Sequence, residues 1–357
     1  MTEKLNLKGE ERVIMALRSL YGSYGYRPYK MSRFEEYDLY AGYKDFLVSG
    51  NMITFTDTDG KLMALKPDVT LSIVRSLKDS SSVVSRICYD ENVYRVSDKS
   101  GTFREIMQAG LECIGDIGIL EMSEVAVLAQ KSLKEISDSS MLTISHMGII
   151  EQFLKGITAE EVSEMAVEAL SARNTPQLAK LSGDYPQFAS ELESLARLSS
   201  MTGSNEAVVS ELRKMGADED LVSVLESVVS ALEQDSVRID FSVLGGMKYY
   251  NGITLRGYVE GIPAAVLSGG QYDRLMKRMG KKSRAIGFAV YMDPLERILQ
   301  VKSEYDVDIV LLYKDDEDPA AVLRKAGSLR ENGMSVVVLR NVPAGLRYRD
   351  ILGGENA

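Results

Sequence analysis

Residues 103–115 read FREIMQAGLECIG. In an extended chain, alternate side chains point to opposite faces. Met107, Ala109, Leu111 and Cys113 then share one apolar face that suits a core, while Arg104, Gln108, Gly110 and Glu112 share the other. An amide and a carboxylate flanking a glycine describe the floor of a polar pocket better than a random solvated surface. Residues 84–96 read as a second strand, and the polar stretch SDKSG between the two makes them an antiparallel pair.

The elements around this pair alternate between strand and helix. Upstream, residues 8–24 carry Val13, Ile14, Leu17 and Leu20 at helical spacing. MITFTDTDGKLMAL reads as a hairpin turning at Asp57 to Gly60, and VTLSIVRSL, after Pro67, as a helix. A helix over 121–136 and a short strand, MLTISHM, follow the pair. From about 149 the strand pattern disappears. TAEE, Thr158 to Glu161, has the form of a capping box, and Leu221, Leu225, Val228, Val229 and Leu232 make one apolar stripe.

Strands return with SVRIDFSVL, NGITLRGYVEG, AAVLSGGQYDRL and RAIGFAVYM. In the last of these, Ala285, Gly287 and Ala289 share a face, and such small residues let something approach the sheet closely. SGGQYDRL reads as a glycine turn entering a helix. After 304 a β-α-β unit follows: DVDIVLLY, PAAVLRKAGSLRENG and MSVVVLRNV. The expected class is α+β, with a core of 1–148 and 236–300, a helical insertion of 149–235 and a small α/β unit of 304–357.

Composition narrows the chemistry. The 357 residues carry a formal net charge of −10, which disfavours nucleic acid as a partner because phosphate contacts need a basic surface. The charged N-terminal stretch has no apolar core of a secretion signal, and no apolar run approaches the length of a membrane span. A cytoplasmic protein is expected. Cys88 and Cys113 show no metal-site spacing and read as reduced core residues. A single histidine, His146, excludes a His-rich metal site and a His-based triad. No metal and no cofactor are expected.

Four fragments can carry recognition chemistry. Gln108 and Glu112 form the polar strand face. ALKPDVT places Asp68 and Thr70 at a helix start, where Asp68 serves either as a cap or, with Thr70, as a seat for an ammonium. LGGMKYYNGITL sets Tyr249 and Tyr250 between glycines, as core aromatics or as flat pocket walls with phenol tips. Arg95 can grip a phosphate or carboxylate or join a cross-strand ion pair. Together they offer an anion for an ammonium, an amide for a carboxylate, and a carboxylate with a phenol for a heterocycle. That set fits an amino acid.

These fragments resemble the class II aminoacyl-tRNA synthetase core, and within it the histidyl branch. YRVSDKSGTFREIMQAGLECIGD is similar to motif 2, ALKPDVT to the histidyl LRPE-x-T element, and GGMKYYNG to the RG-x-DYY-x-G signature. SGGQYDRL is similar to GGRYDGL, and AIGFAVYMDPL to motif 3. The resemblance covers residues 8–300. It implies an antiparallel sheet flanked by helices, dimerisation near 25–40, and a pocket for free histidine. In that pocket Asp68 and Thr70 would hold the α-amino group, Gln108 would reach the amino-acid backbone, and Glu112 and Tyr250 would read the imidazole.

The departures cluster on the activating groups. The signature arginine falls at Gly245 and its aspartate at Lys248. The motif 3 arginine falls at Pro294, the motif 2 glutamate at Ser97 and the motif 1 proline at Ser32. Only Arg95 keeps its place. A pocket kept while the adenylation cations are lost resembles the synthetase-like regulatory subunits of ATP phosphoribosyltransferase, a family that assembles with a short catalytic subunit and takes part in histidine feedback inhibition. The resemblance implies a non-catalytic hetero-oligomer partner, with an eroded anticodon-binding domain as the C-terminal unit. The alternative is a divergent histidyl-tRNA synthetase or another adenylate-forming ligase.

Overall fold

The computed structural model describes residues 8–43, 46–47, 52–77, 83–96, 101–244, 249–299 and 304–353. In chain order the first elements are α1 (Gly9–Ser23), β1 (Arg27–Pro28), β2 (Phe34–Glu36), α2 (Tyr37–Ala41), β3 (Thr54–Thr56), β4 (Leu62–Leu65) and α3 (Val69–Ser76). There follow β5 (Ser85–Val96), β6 (Phe103–Gly115), α4 (Ile119–Ile136), β7 (Ser140–His146) and α5 (Met147–Leu154). The helical run is α6 (Glu160–Ser171), α7 (Thr175–Asp184), α8 (Ala189–Ser200), α9 (Asn205–Lys214) and α10 (Glu219–Ser230). Then come β8 (Val237–Ile239), β9 (Ile253–Val259), β10 (Leu267–Gln271), α11 (Asp273–Arg278), β11 (Arg284–Tyr291) and α12 (Glu296–Leu299). The chain ends with β12 (Val307–Leu312), α13 (Pro319–Glu331), β13 (Val336–Leu339) and β14 (Tyr348–Leu352). It divides into two compact units, residues 12–296 and residues 1–11 with 297–357.

The larger unit is built on an eight-stranded sheet in the order β1-β5-β6-β11-β10-β9-β7-β8. The outer pairs β1–β5 and β7–β8 are parallel, and every inner pair is antiparallel. The alternation in 103–115 has the consequence read from it: Ala109, Leu111 and Cys113 are buried on the back. There α1 and α4 cover the sheet, joined by a 3.0 Å hydrogen bond between the Tyr21 and Ser132 hydroxyls, with the Tyr21 ring edge-on to Phe288. On the front, α3 and α11 pack with β5 residues in one apolar cluster that includes Leu71, Val93, Tyr272 and Leu275. The hairpin β3–β4 turns through Gly60, whose positive φ of 81° a glycine adopts without strain.

Four local readings need correction. Helix α6 is capped by Ala159 with no side-chain bond, so Thr158 does not close a capping box; Glu160 and Glu161 instead sit in the first turn, where the helix dipole favours acids. Only Val237–Ile239 of SVRIDFSVL pairs as a strand. Gly269 and Gly270 lie inside β10 rather than in a turn, because a Cβ at Gly269 would stand 2.4 Å from that of Phe288 on the neighbouring strand. The C-terminal unit exceeds one β-α-β: β14 adds a third parallel strand in the order β13-β12-β14, over Ile309, Leu311, Ala326 and Val336. Ser97, Gly245 and Lys248 lie outside the described residues.

Candidate functional site

The front face of the sheet assembles most of the expected residues around one carboxylate. Glu112 is 2 % exposed. Its Oε1 accepts a 2.7 Å hydrogen bond from the Thr70 hydroxyl and its Oε2 a 2.5 Å bond from the Tyr272 hydroxyl. Burial pushes the Glu112 carboxyl up to about 8; the Tyr272 and Thr70 bonds oppose that rise, and Asp68 adds to it. Around neutrality Glu112 is therefore mostly a neutral acid that can give a proton to a base.

Helix α3 presents Asp68 and Thr70 because the preceding chain is pinned. Lys66, fully buried, pairs with Glu91 of β5 at 2.8 Å, and the Glu91 carboxylate also accepts from the Met31 N–H at 3.2 Å. Asp68 is the N-cap of α3, accepting from the Leu71 N–H at 2.9 Å. Burial raises its pKa, while the Leu71 N–H, Arg95 and the Thr70 N–H lower it. Asp68 thus serves as the cap, and recognition of an ammonium would draw on the same carboxylate. Asp68→Asn separates the two. Asparagine caps as well as aspartate, so thermal stability should stay within about 0.5 kcal/mol, while affinity for an ammonium ligand should fall about tenfold, measured by calorimetry.

Arg95 stands opposite Arg104 on the paired strand and has no carboxylate partner among the described residues. Its Nε donates to the Pro67 carbonyl at 3.1 Å, and its charge lowers the Tyr291 pKa that burial raises. Gln108 is 3 % exposed and its Nε2 has no partner. A buried donor without an acceptor is costly, so this amide is suited to meet a polar ligand that accepts. Tyr249 packs into the apolar cluster against Phe46, Tyr250 and Tyr272, at centroid distances of 6.0, 4.8 and 5.6 Å. Burial and the nearby Asp68 raise its pKa well above the ordinary tyrosine value. The Tyr250 ring lies over Gly270, where a Cβ would meet Cδ1 at 2.9 Å.

Two features were not assigned from the sequence. The sequence assigns no role to Tyr272 in GGQYDRL, although its hydroxyl holds Glu112. The small residues of β11 do admit a close approach, and the group that approaches is Glu112 itself. A Cβ at Gly287 would lie 1.9 Å from Glu112 Oε2.

A long antiparallel pair carrying ligand groups on one face, closed by a glycine-rich strand and a final strand leading to a short helix, defines the class II aminoacyl-tRNA synthetase core. Comparison with known proteins agrees. The histidyl-tRNA synthetase family model matches residues 5–295, and the chain belongs to that family. It is 28 % identical to the ATP phosphoribosyltransferase regulatory subunit of Clostridium kluyveri, over 92 % of this chain and 88 % of that one. It is 30 % identical to the histidine–tRNA ligase of Archaeoglobus fulgidus, over 90 % and 80 %. A solved structure from Bacillus halodurans, described as an ATP phosphoribosyltransferase regulatory subunit/histidyl-tRNA synthetase, superposes with a TM-score of 0.78 at 22 % identity, covering 96 % of this chain and 93 % of that one. No described helix is long and apolar enough to cross a membrane.

Proposed function

We propose that this chain is a regulatory subunit of ATP phosphoribosyltransferase, the first enzyme of histidine biosynthesis. It performs no ligase chemistry of its own, activates a short catalytic subunit, and binds L-histidine on the front of its sheet. The carrying observation is an asymmetry. The Thr70–Glu112–Tyr272 network, Asp68 and the unsatisfied Gln108 amide suit an amino acid. Glycine stands at 245 and proline at 294, where the family has the arginines that face the activated phosphate. Adenylation develops charge on that phosphate, and losing one oriented group there typically costs about 3–4 kcal/mol. Relatives named as regulatory subunits support the same reading.

In this reading Asp68 and Thr70 take the ammonium, Gln108 the amino-acid backbone, and Glu112 with Tyr250 the imidazole nitrogens. Arg95 stays beside the α3 N-terminus and orders Asp68. Self-association runs through residues 25–40, in an interface that for a stable dimer exceeds about 1,000 Å²; gel filtration of the chain alone should give a dimer.

Co-expression with a short-form catalytic subunit tests the proposal. Phosphoribosyl transfer should rise at least tenfold over the catalytic subunit alone, and histidine should inhibit the assembled enzyme. Histidine-dependent exchange of pyrophosphate into ATP by the purified chain would overturn it in favour of a ligase.

A further inference from the structure

The residues around the site form a bare floor with donors on opposite sides. Laterally paired residues of a sheet share a face. One row runs Gly110, Ala289, Ser268, Arg256 across β6, β11, β10 and β9. The next runs Glu112, Gly287, Gly270, Thr254 and on to Ser145 of β7. Three of the small positions are roofed: Gly110 by the Tyr89 hydroxyl, Gly287 by the Glu112 carboxylate, Gly270 by the Tyr250 ring. Between Gly110 and Arg256 the first row carries only the small side chains of Ala289 and Ser268. Gln108 and Tyr291, paired across β6 and β11, bound the floor on its other side.

Arg256 is half-buried, and among the described residues no carboxylate pairs with it. Its charge is felt at Tyr291, whose pKa burial raises, with Arg95 and Arg256 lowering it and Asp68 raising it. Two residues earlier on the same face, the Thr254 hydroxyl is buried without a partner. Across the floor the Gln108 Nε2 is in the same condition. A guanidinium and an amide N–H donate, and a partly desolvated cation calls for an anion. The expected ligand is therefore an acceptor with two oxygens and a negative charge.

Resting on the histidine reading above, we propose that Arg256 is the carboxylate-binding residue of this pocket, gripping the α-carboxylate of the bound amino acid from the side opposite Gln108.

Calorimetry with L-histidine and with histamine, which lacks only the carboxylate, tests this on the full-length chain. The wild type should prefer L-histidine by at least about tenfold. Arg256→Met should bind the two ligands alike, with histamine affinity within about threefold of wild type, and Arg256→Lys should recover part of the preference. A purely structural arginine would weaken both ligands equally, and that result, or an unchanged preference in a folded Arg256→Met, overturns the assignment while leaving the pocket intact. If the wild type binds neither compound, the histidine reading fails and the assignment with it.

Discussion

Glu112→Gln is expected to weaken L-histidine binding at pH 7 by about ten- to a hundredfold, the range for losing one buried hydrogen bond to a charged group. The same change should stabilise the ligand-free protein at alkaline pH. The signs follow from one carboxyl held near 8, far above its ordinary 4.5. A group whose folded pKa lies above its unfolded value contributes stability that is complete below about pH 4.5 and is lost as the pH climbs through 8. Glutamine carries no such proton. The difference in unfolding free energy between variant and wild type should therefore grow from pH 4.5 to 8 in favour of the variant and then level off. Its full size is on the order of a few kcal/mol, since each pH unit of that window contributes about 1.4 kcal/mol. Denaturant melts at half-unit intervals of pH measure it, and a gap that stays flat across that window would mean Glu112 is ionised throughout.

Binding should carry the same signature with an added arm. An imidazole facing Glu112 shares one proton with it, whichever atom holds that proton. Between the imidazole's ordinary pKa of about 6.5 and the carboxyl's value near 8, the free partners already hold that single proton between them. Below this interval the pair must release a proton on binding, and above it must take one up. Affinity for L-histidine should thus plateau between about pH 6.5 and 8 and fall roughly tenfold per unit on either side. In Glu112→Gln the alkaline arm set by this carboxyl should vanish.

Much of this site is legible in the sequence because its cues are local. The alternation in FREIMQAGLECIG decides which side of β6 meets the core, since a one-residue slip would bury Arg104 and expose Leu111. The Pro67–Asp68 step marks a helix start by cap chemistry alone. What escaped depends on neighbouring strands. Gly269 and Gly270 carry the signal of a turn, and a turn and a close approach look alike in one dimension. Only the register against β11 shows that Phe288 and the Tyr250 ring occupy the missing side-chain volume. Tyr272 escaped for the same reason, because its partner lies 160 residues away in the chain. Arg256 sits in ITLRGYV, where one arginine among apolar residues reads as an ordinary outward-facing position, and its meaning appears only beside Ser268 and Tyr291. The third C-terminal strand, YRDIL, has too few apolar residues to announce pairing before the parallel partner is known.

Gly287→Ala is expected to damage fold and site together. The added methyl would stand 1.9 Å from Glu112 Oε2 and 2.5 Å from the Leu111 carbonyl oxygen. The first contact can move only by breaking the 2.5 Å bond from Tyr272 or the 2.7 Å bond from Thr70, and the second only by shifting backbone paired with β11. Overpacking of this kind costs about 1–3 kcal/mol, and a displaced, poorly satisfied carboxyl adds a similar amount. Stability should fall by at least about 2 kcal/mol, and histidine binding should drop below detection. Gly183→Ala, in α7 with open space around it, serves as the control and should be neutral or slightly stabilising, since alanine is the better helix former. A double-mutant cycle isolates the cause. If the clash with Glu112 is the main injury, Glu112→Ala combined with Gly287→Ala should be less destabilised than the sum of the single changes by about 1 kcal/mol or more, because the methyl then occupies space the carboxylate has vacated. Additive losses would instead place the injury in the β6–β11 backbone, and the close approach of Glu112 to a glycine floor would no longer explain why that strand carries no side chain there.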